Sequence, residues 1–135
     1  MGETKSIVQT AIEIGDFPTL VNAAKKLGLD KKFDNNGPYT IFAPLEKAFD
    51  PIPENVIDEA FDDLDYLMDI INYHVVEGKY LTSDLKGLDS LTALNDKILK
   101  ITNDGNVMIN GISIEKENIE CTNGVIHAIG DILIP

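Results

Sequence analysis

Two histidines, His74 and His127, are the only side chains in this 135-residue chain whose ordinary pKa lies near neutrality, and among many carboxylates they could form an acid–base pair. His74 follows an apolar helical stripe, three residues after Ile71. His127 lies inside the run Val125-Ile126-His127-Ala128-Ile129. Set beside neighbouring carboxylates, the two imidazoles suggest one reading: a small-ligand-binding or acid–base hydrolytic domain using buried histidines and carboxylates. The competing reading is structural. An imidazole in an apolar segment is costly unless its ring nitrogens find partners, so each would serve as a polar tie within the core. The apolar neighbours favour the structural reading.

No other residue pattern adds chemistry. Ser83, Ser90 and Ser113 lie outside any Gly-x-Ser-x-Gly elbow, and no Gly-rich phosphate loop is present. Cys121 is the single cysteine. It alternates with Glu120 and Thr122 in a strand-like pattern and reads as a buried thiol. His74, His127 and Cys121 lack the spacing of a metal set. The acidic stretch Asp58, Glu59, Asp62, Asp63, Asp65 and Asp69 lacks the glycine and terminal glutamate of a calcium loop. It reads as a solvated face, with a cation-responsive module as a third functional reading. No catalytic residue, metal or cofactor is assigned.

The formal net charge is -12, and all 11 cations are lysines. Without arginine forks or a basic patch, nucleic acid and anionic membranes are not expected partners. No apolar run reaches the ~18–20 residues of a membrane span, so direct insertion is not expected. With 44% hydrophobic residues the chain is globular, and its length suits a single domain over residues 3–135. The opening Met1-Gly2-Glu3-Thr4-Lys5 has no apolar leader, which taken literally indicates a cytoplasmic chain or a trimmed one.

The elements that must position these residues change character along the chain. Ile7, Val8, Ala11 and Ile12 keep a helical period that Gly15 ends. A second helix, with Asp16 as cap and Pro18 in its first turn, carries Leu20, Val21, Ala24 and Leu27 up to Gly28. Asn35-Asn36-Gly37-Pro38 is a turn, and Tyr39 to Ala43 a short strand stopped by Pro44. A short helix is predicted over 54–60. A clearer one runs from Leu64 to His74, with Leu64, Leu67, Met68, Ile71 and Val75 on one face. A protonated His74 there would suit the helix dipole. After residue 89 the pattern becomes strands: 98–102 and 107–110 as a hairpin around Asp104-Gly105, then 112–115, 119–122 and 125–134. Helices first and strands afterwards indicate an α+β domain.

Three segments, in order, resemble the fasciclin-like domain family. Thr40-Ile41-Phe42-Ala43-Pro44-Leu45-Glu46-Lys47-Ala48-Phe49 resembles its first motif. Tyr73-His74 resembles its Tyr-His region. Asn123-Gly124-Val125-Ile126-His127-Ala128-Ile129-Gly130-Asp131-Ile132-Leu133-Ile134-Pro135 is similar to its C-terminal strand. Leu45, Glu46 and Gly130 depart from the family's usual Thr, Asp or Asn, and Asp. The first two departures imply that the cap of the short helix after the first strand is replaced by another contact. The resemblance implies a wedge-shaped β-sandwich of two sheets with several helices along one side. Thr40, Phe42, Pro44, Phe49, His74, Asn123, Gly124 and His127 are its structural motif residues. It further implies a non-catalytic, monomeric adhesion or interaction module, extracellular or at the cell surface, binding a cell-surface or matrix protein or a polysaccharide. The candidate contact residues are Asn72, Tyr73, His74 and Tyr80, with an exposed Tyr73 as the supporting feature.

Overall fold

Apolar periodicity organises the first third of the chain. In a computed structural model, which describes residues 7–15, 17–35, 38–103 and 107–133, helix α1 spans Ile7–Ile14 and α2 spans Pro18–Leu27. Gly15 and Gly28 end them in the left-handed conformation, at φ of 74° in each case. Ile7 and Ala11 are buried, whereas Ile12 is exposed, so the stripe of α1 is narrower than its spacing suggests. The residue before α2 is Phe17, whose side chain makes no cap. A third helix, α3 (Leu29–Asn35), was not anticipated; Leu29 and Phe33, one turn apart, bury it. The expected cap Asp16, the turn residues Asn36-Gly37 and Asp104-Gly105-Asn106, the side chain of Val8, and Ile134-Pro135 lie outside the described residues.

Strand β1 (Tyr39–Pro44) is followed by a short 3-10 turn (Glu46–Phe49), α4 (Glu54–Asp62), α5 (Leu64–Tyr73), β2 (Val75–Glu77) and α6 (Thr82–Leu85). Strands β3 (Ser90–Thr92), β4 (Ile98–Asn103), β5 (Val107–Ile109), β6 (Ile112–Cys121) and β7 (Gly124–Ile129) complete the chain. Leu67 and Ile71 are the buried line of α5, but Leu64 and Met68 are exposed, and Val75 belongs to β2. The expected stripe was therefore too wide: the i, i+4, i+7 row Leu67-Ile71-His74 meets the core, and the row beside it faces outward. The two strands expected at 112–115 and 119–122 are one strand, β6, with register shifts between Ile114 and Lys116 and between Lys116 and Ile119. The last strand stops at Ile129, shorter than expected.

The strands form one hydrogen-bonded succession, β2-β1-β7-β6-β5-β4-β3. The β1–β7 pair is parallel, and the other neighbours are antiparallel. The irregular β6 lets this single seven-stranded sheet bend, so its halves face one another across a shared core. Phe42 and Ile129 from one half meet Leu99, Ile101, Val107 and Ile109 from the other. Just past β3, the Leu94 N–H donates to the Val75 carbonyl at 2.9 Å and the Asn72 carbonyl at 3.1 Å, bringing the two ends of the ribbon together. The opposite face of β1 and β7 carries the helices: Tyr39, Ile41, Ala43, Ile126 and Ala128 pack with Ile7, Phe17, Ala24, Phe33, Leu67 and Ile71. Period-two alternation thus sends each central strand into two cores, which makes all six residues of β7 buried.

Asn123 and Gly124 lock this centre. Asn123 Oδ1 accepts from the Ile7 N–H at 2.9 Å, its amide donates to the Phe33 carbonyl, and its own carbonyl accepts from the Tyr39 N–H at 3.0 Å. One residue thereby ties the start of α1, the middle of α3 and the start of β1. A Cβ at Gly124 would lie 2.0 Å from the Tyr39 carbonyl oxygen and 2.7 Å from Ile7 Cδ1, a collision with backbone that cannot relax cheaply. Gly124→Ala is expected to lose about 3 kcal/mol or more in urea unfolding, against ~1 kcal/mol for Gly28→Ala, where no clash arises. Equal losses at the two positions would refute the close-approach account.

Candidate functional site

His74 caps α5 at its C-terminal end and joins three elements. Its Nδ1–H donates to the Ile70 carbonyl at 2.7 Å, and its Nε2 accepts the Leu133 N–H at 2.9 Å. Its own carbonyl accepts from the Phe42 N–H at 2.8 Å. One nitrogen faces a carbonyl and the other faces an N–H, so the ring holds one neutral tautomer. Burial lowers its pKa from 6.5 to about 4, outweighing the Ile70 carbonyl, which favours the cation. The expected favourable charge on the helix dipole is therefore corrected: His74 is neutral, and its ring is 1% exposed.

Tyr73, the residue before it, is buried as well, at 7% exposure. Its hydroxyl donates to the Ile98 carbonyl at 3.2 Å and accepts from Asn110 Nδ2 at 2.9 Å. It seals the end of α5 against β4 and the β5–β6 turn, and the expected exposed aromatic is not there. Asn72 is half-buried, and its Oδ1 is enclosed without a hydrogen-bond partner in the described structure. Tyr80 is half-buried, its ring lying against Gly78. Of the four contact candidates, Tyr73 and His74 are buried, and Asn72 and Tyr80 are half-buried.

His127 anchors a second network with the opposite tautomer. Its Nε2–H donates to the Tyr80 carbonyl at 2.7 Å, and its Nδ1 accepts the Asn118 N–H at 3.1 Å. Phe42 stacks on the ring, with centroids 5.8 Å apart. Desolvation depresses its pKa, against the opposing influence of the Tyr80 carbonyl and the Glu117 charge. Thr40, fully buried, donates its hydroxyl to the Gly78 carbonyl at 2.7 Å and accepts from the Tyr80 N–H at 2.8 Å. Asn118 returns the chain to α6: its side chain accepts from the Thr82 N–H at 3.0 Å and donates to Thr82 Oγ1 at 3.1 Å. Asn118 sits at φ 55°, within the irregular part of β6. It is the network residue that sequence reasoning missed; asparagine tolerates the left-handed region, so its place in a strand-like segment was the available signal. The two histidines share no hydrogen-bond partner, and each is consumed by backbone groups.

The departures from the family pattern have local replacements. Leu45 precedes the 3-10 turn and makes no side-chain cap. Glu46 instead turns to the start of α2, accepting from the Thr19 N–H at 3.2 Å and from Thr19 Oγ1 at 3.0 Å. It supplies from afar the acceptor that Phe17 cannot provide. At Gly130, a Cβ would fall 2.3 Å from Glu115 Oε2, so the Glu115 carboxylate covers the space a side chain would fill there. Lys47 pairs with that carboxylate at 2.5 Å. Pro44 is buried at the end of β1, and Phe49 is half-buried on the 3-10 turn.

Among the described residues, no three His, Cys, Asp or Glu side chains converge to hold a metal ion. Asp63 caps α5, accepting from the Tyr66 N–H at 3.2 Å, which gives one member of the acidic stretch a structural role. Cys121 is buried, with its Sγ 3.5 Å from the Ile119 carbonyl.

Residues 15–135 match the family model described as the Fasciclin domain. Protein sll1483 of Synechocystis sp. is 30% identical over 132 residues, covering 96% of this chain and 73% of that protein. The cell surface glycolipoprotein MPB83 of Mycobacterium bovis is 30% identical over 102 residues, covering 75% of this chain and 46% of its own length. The FAS1 domain pair of the insect cell adhesion molecule fasciclin I superposes with a TM-score of 0.85. That match covers 98% of this chain and 52% of that one, and at 17% identity it shows a shared fold.

The enclosed imidazoles make stability pH-dependent. With the native pKa of His74 near 4 and the unfolded value near 6.5, the unfolded chain binds more protons between these limits. The contribution is therefore complete above pH 6.5 and is lost as pH falls towards 4. Between pH 7 and pH 5, His74 alone should remove about 2 kcal/mol, and His127 adds in the same direction. Urea unfolding of His74→Gln should give lower stability at pH 7 and a flatter pH profile; an unchanged slope refutes the assignment. Glu46→Ala should cost ~0.5–1 kcal/mol, read as a lower urea midpoint, with no change in the spectrum of the native state. A neutral result would show that Glu46 does not act as the cap of α2.

Proposed function

The chain belongs to the fasciclin domain family, and on that premise we propose that it is a non-catalytic interaction module at the cell surface or outside the cell. Its partner is a cell-surface or matrix protein or a polysaccharide, bound by a monomer. One observation carries this reading: the two histidines, the candidates for acid–base chemistry, are spent inside the scaffold. Both ring nitrogens of His74 and of His127 are taken by backbone groups, and both rings are at most 1% exposed. The acid–base alternative thereby loses the groups it needs. The names carried by relatives support a surface role: one is called a cell surface glycolipoprotein, and the fold neighbour is a cell adhesion molecule.

What remains for function is the outer surface, and its charge bears on the partner. A net charge of -12 without arginine disfavours nucleic acid and anionic lipid. No helix among the described residues is long and apolar enough to cross a membrane. Beads coated with the folded chain are expected to attach to cells of the source organism several-fold more than albumin-coated beads, and soluble chain should compete. Attachment equal to the albumin control overturns the proposal.

A further inference from the structure

α4 has no fully buried residue, yet it forms one wall of a cleft of about 110 Å³ that runs inward to the core. Val56, Ile57, Ala60 and Phe61 line it from α4; Leu20, Phe49, Ile70 and Ile132 line it from other elements. The polar atoms of its lining face elsewhere or are already engaged. Thr19 Oγ1 is bonded to Glu46, His74 has both ring nitrogens bonded to backbone, and Tyr66 stands at the open end, 45% exposed. Val56, 46% exposed, stands there too, so apolar surface continues from the cleft to the outside.

Size and charge define the occupant. A dry apolar cavity of roughly 150 Å³ holds a benzene molecule, so this smaller cleft accepts a single branched aliphatic side chain and not a lipid tail or sterol. Around it the helices carry Glu54, Asp58, Glu59, Asp62, Asp63 and Asp65, all exposed, and the sequence has no lysine between Lys47 and Lys79. An ammonium is already accommodated at this rim, where Lys26 Nζ lies 5.9 Å from the centroid of the Phe61 ring. An acidic or anionic ligand would meet like charge; a basic one would be steered in.

We propose that the cleft between α4 and α5 is a docking site for a protein segment that inserts one aliphatic side chain flanked by lysine or arginine. This deepens the interaction reading and rests on it. Burial of one aliphatic group supplies the anchor, and the surrounding carboxylates set orientation and encounter rate.

The test uses the whole chain and three capped pentapeptides, Lys-Lys-Leu-Lys-Lys, Lys-Lys-Ser-Lys-Lys and Glu-Glu-Leu-Glu-Glu, followed by NMR titration. The lysine-flanked leucine peptide should bind at least ten-fold more tightly than either control and shift resonances of Ala60, Tyr66 and Ile70. Filling the cleft with Ala60→Phe should remove that advantage. Val56→Glu, at an exposed position that leaves the core untouched, should do the same if Ala60→Phe fails to fold. Equal binding of the leucine and serine peptides overturns the proposal in favour of charge alone. Shifts produced by benzene but by no peptide overturn it in favour of a small-molecule cavity, and concentration-dependent shifts of the free chain in favour of a second copy. Bead attachment that persists in Ala60→Phe leaves the interaction module standing and overturns the cleft as its site.

Discussion

A strand buried on both faces is the constraint from which the rest of the structure follows. β7 pairs with β1 on one side and β6 on the other, and its side chains enter two separate cores. Water reaches neither face, so every polar atom near it must be satisfied by the protein. That requirement fixes Asn123 against three elements, Gly124 against the Tyr39 carbonyl, and His127 between Tyr80 and Asn118. It also explains why the two histidines carry their protons on opposite ring nitrogens: each matches the donor and acceptor that its surroundings present.

The histidines show how a residue suited to catalysis becomes architectural. An imidazole with one backbone donor and one backbone acceptor has no lone pair or proton to offer a substrate. It acts as a hinge-pin between segments distant in sequence: Ile70 with Leu133, and Tyr80 with Asn118. Thr40 acts in the same way, holding the Gly78–Tyr80 turn by its hydroxyl. Where the chain departs from its family, the same need is met by relocated groups, Glu46 at the start of α2 and Glu115 over Gly130.

Much of this was legible in the sequence. Helical spacing with glycine stops placed α1 and α2; the turn before β1, the stop at Pro44 and the apolar run of β7 placed the centre; and three ordered motifs identified the family. What was not legible depended on tertiary context. α3 has only Leu29 and Phe33 as anchors and no strong periodic signal. β2 is three residues long and looked like the end of the preceding helix. The wide stripe of α5 could not reveal which row faces inward, nor that Tyr73 turns its hydroxyl to Ile98 and Asn110. The apolar cleft draws its walls from helices far apart in sequence, and no local pattern marks it.

The position of β7 has a consequence for how the protein is made. Ribosomes release a chain from its first residue onward, and domains fold as units once their parts are available. Here the strand that lies between β1 and β6 comes from residues 124–129. Before it emerges, β1 has β2 as its sheet neighbour, the Ile7 amide lacks the acceptor on Asn123, and both cores lack a wall. Nearly the whole sequence must therefore wait as an incomplete intermediate, with its central edge open to wrong pairings. Completion of this fold therefore waits on residues 124–129, and until they are available the earlier strands and helices have only local partners.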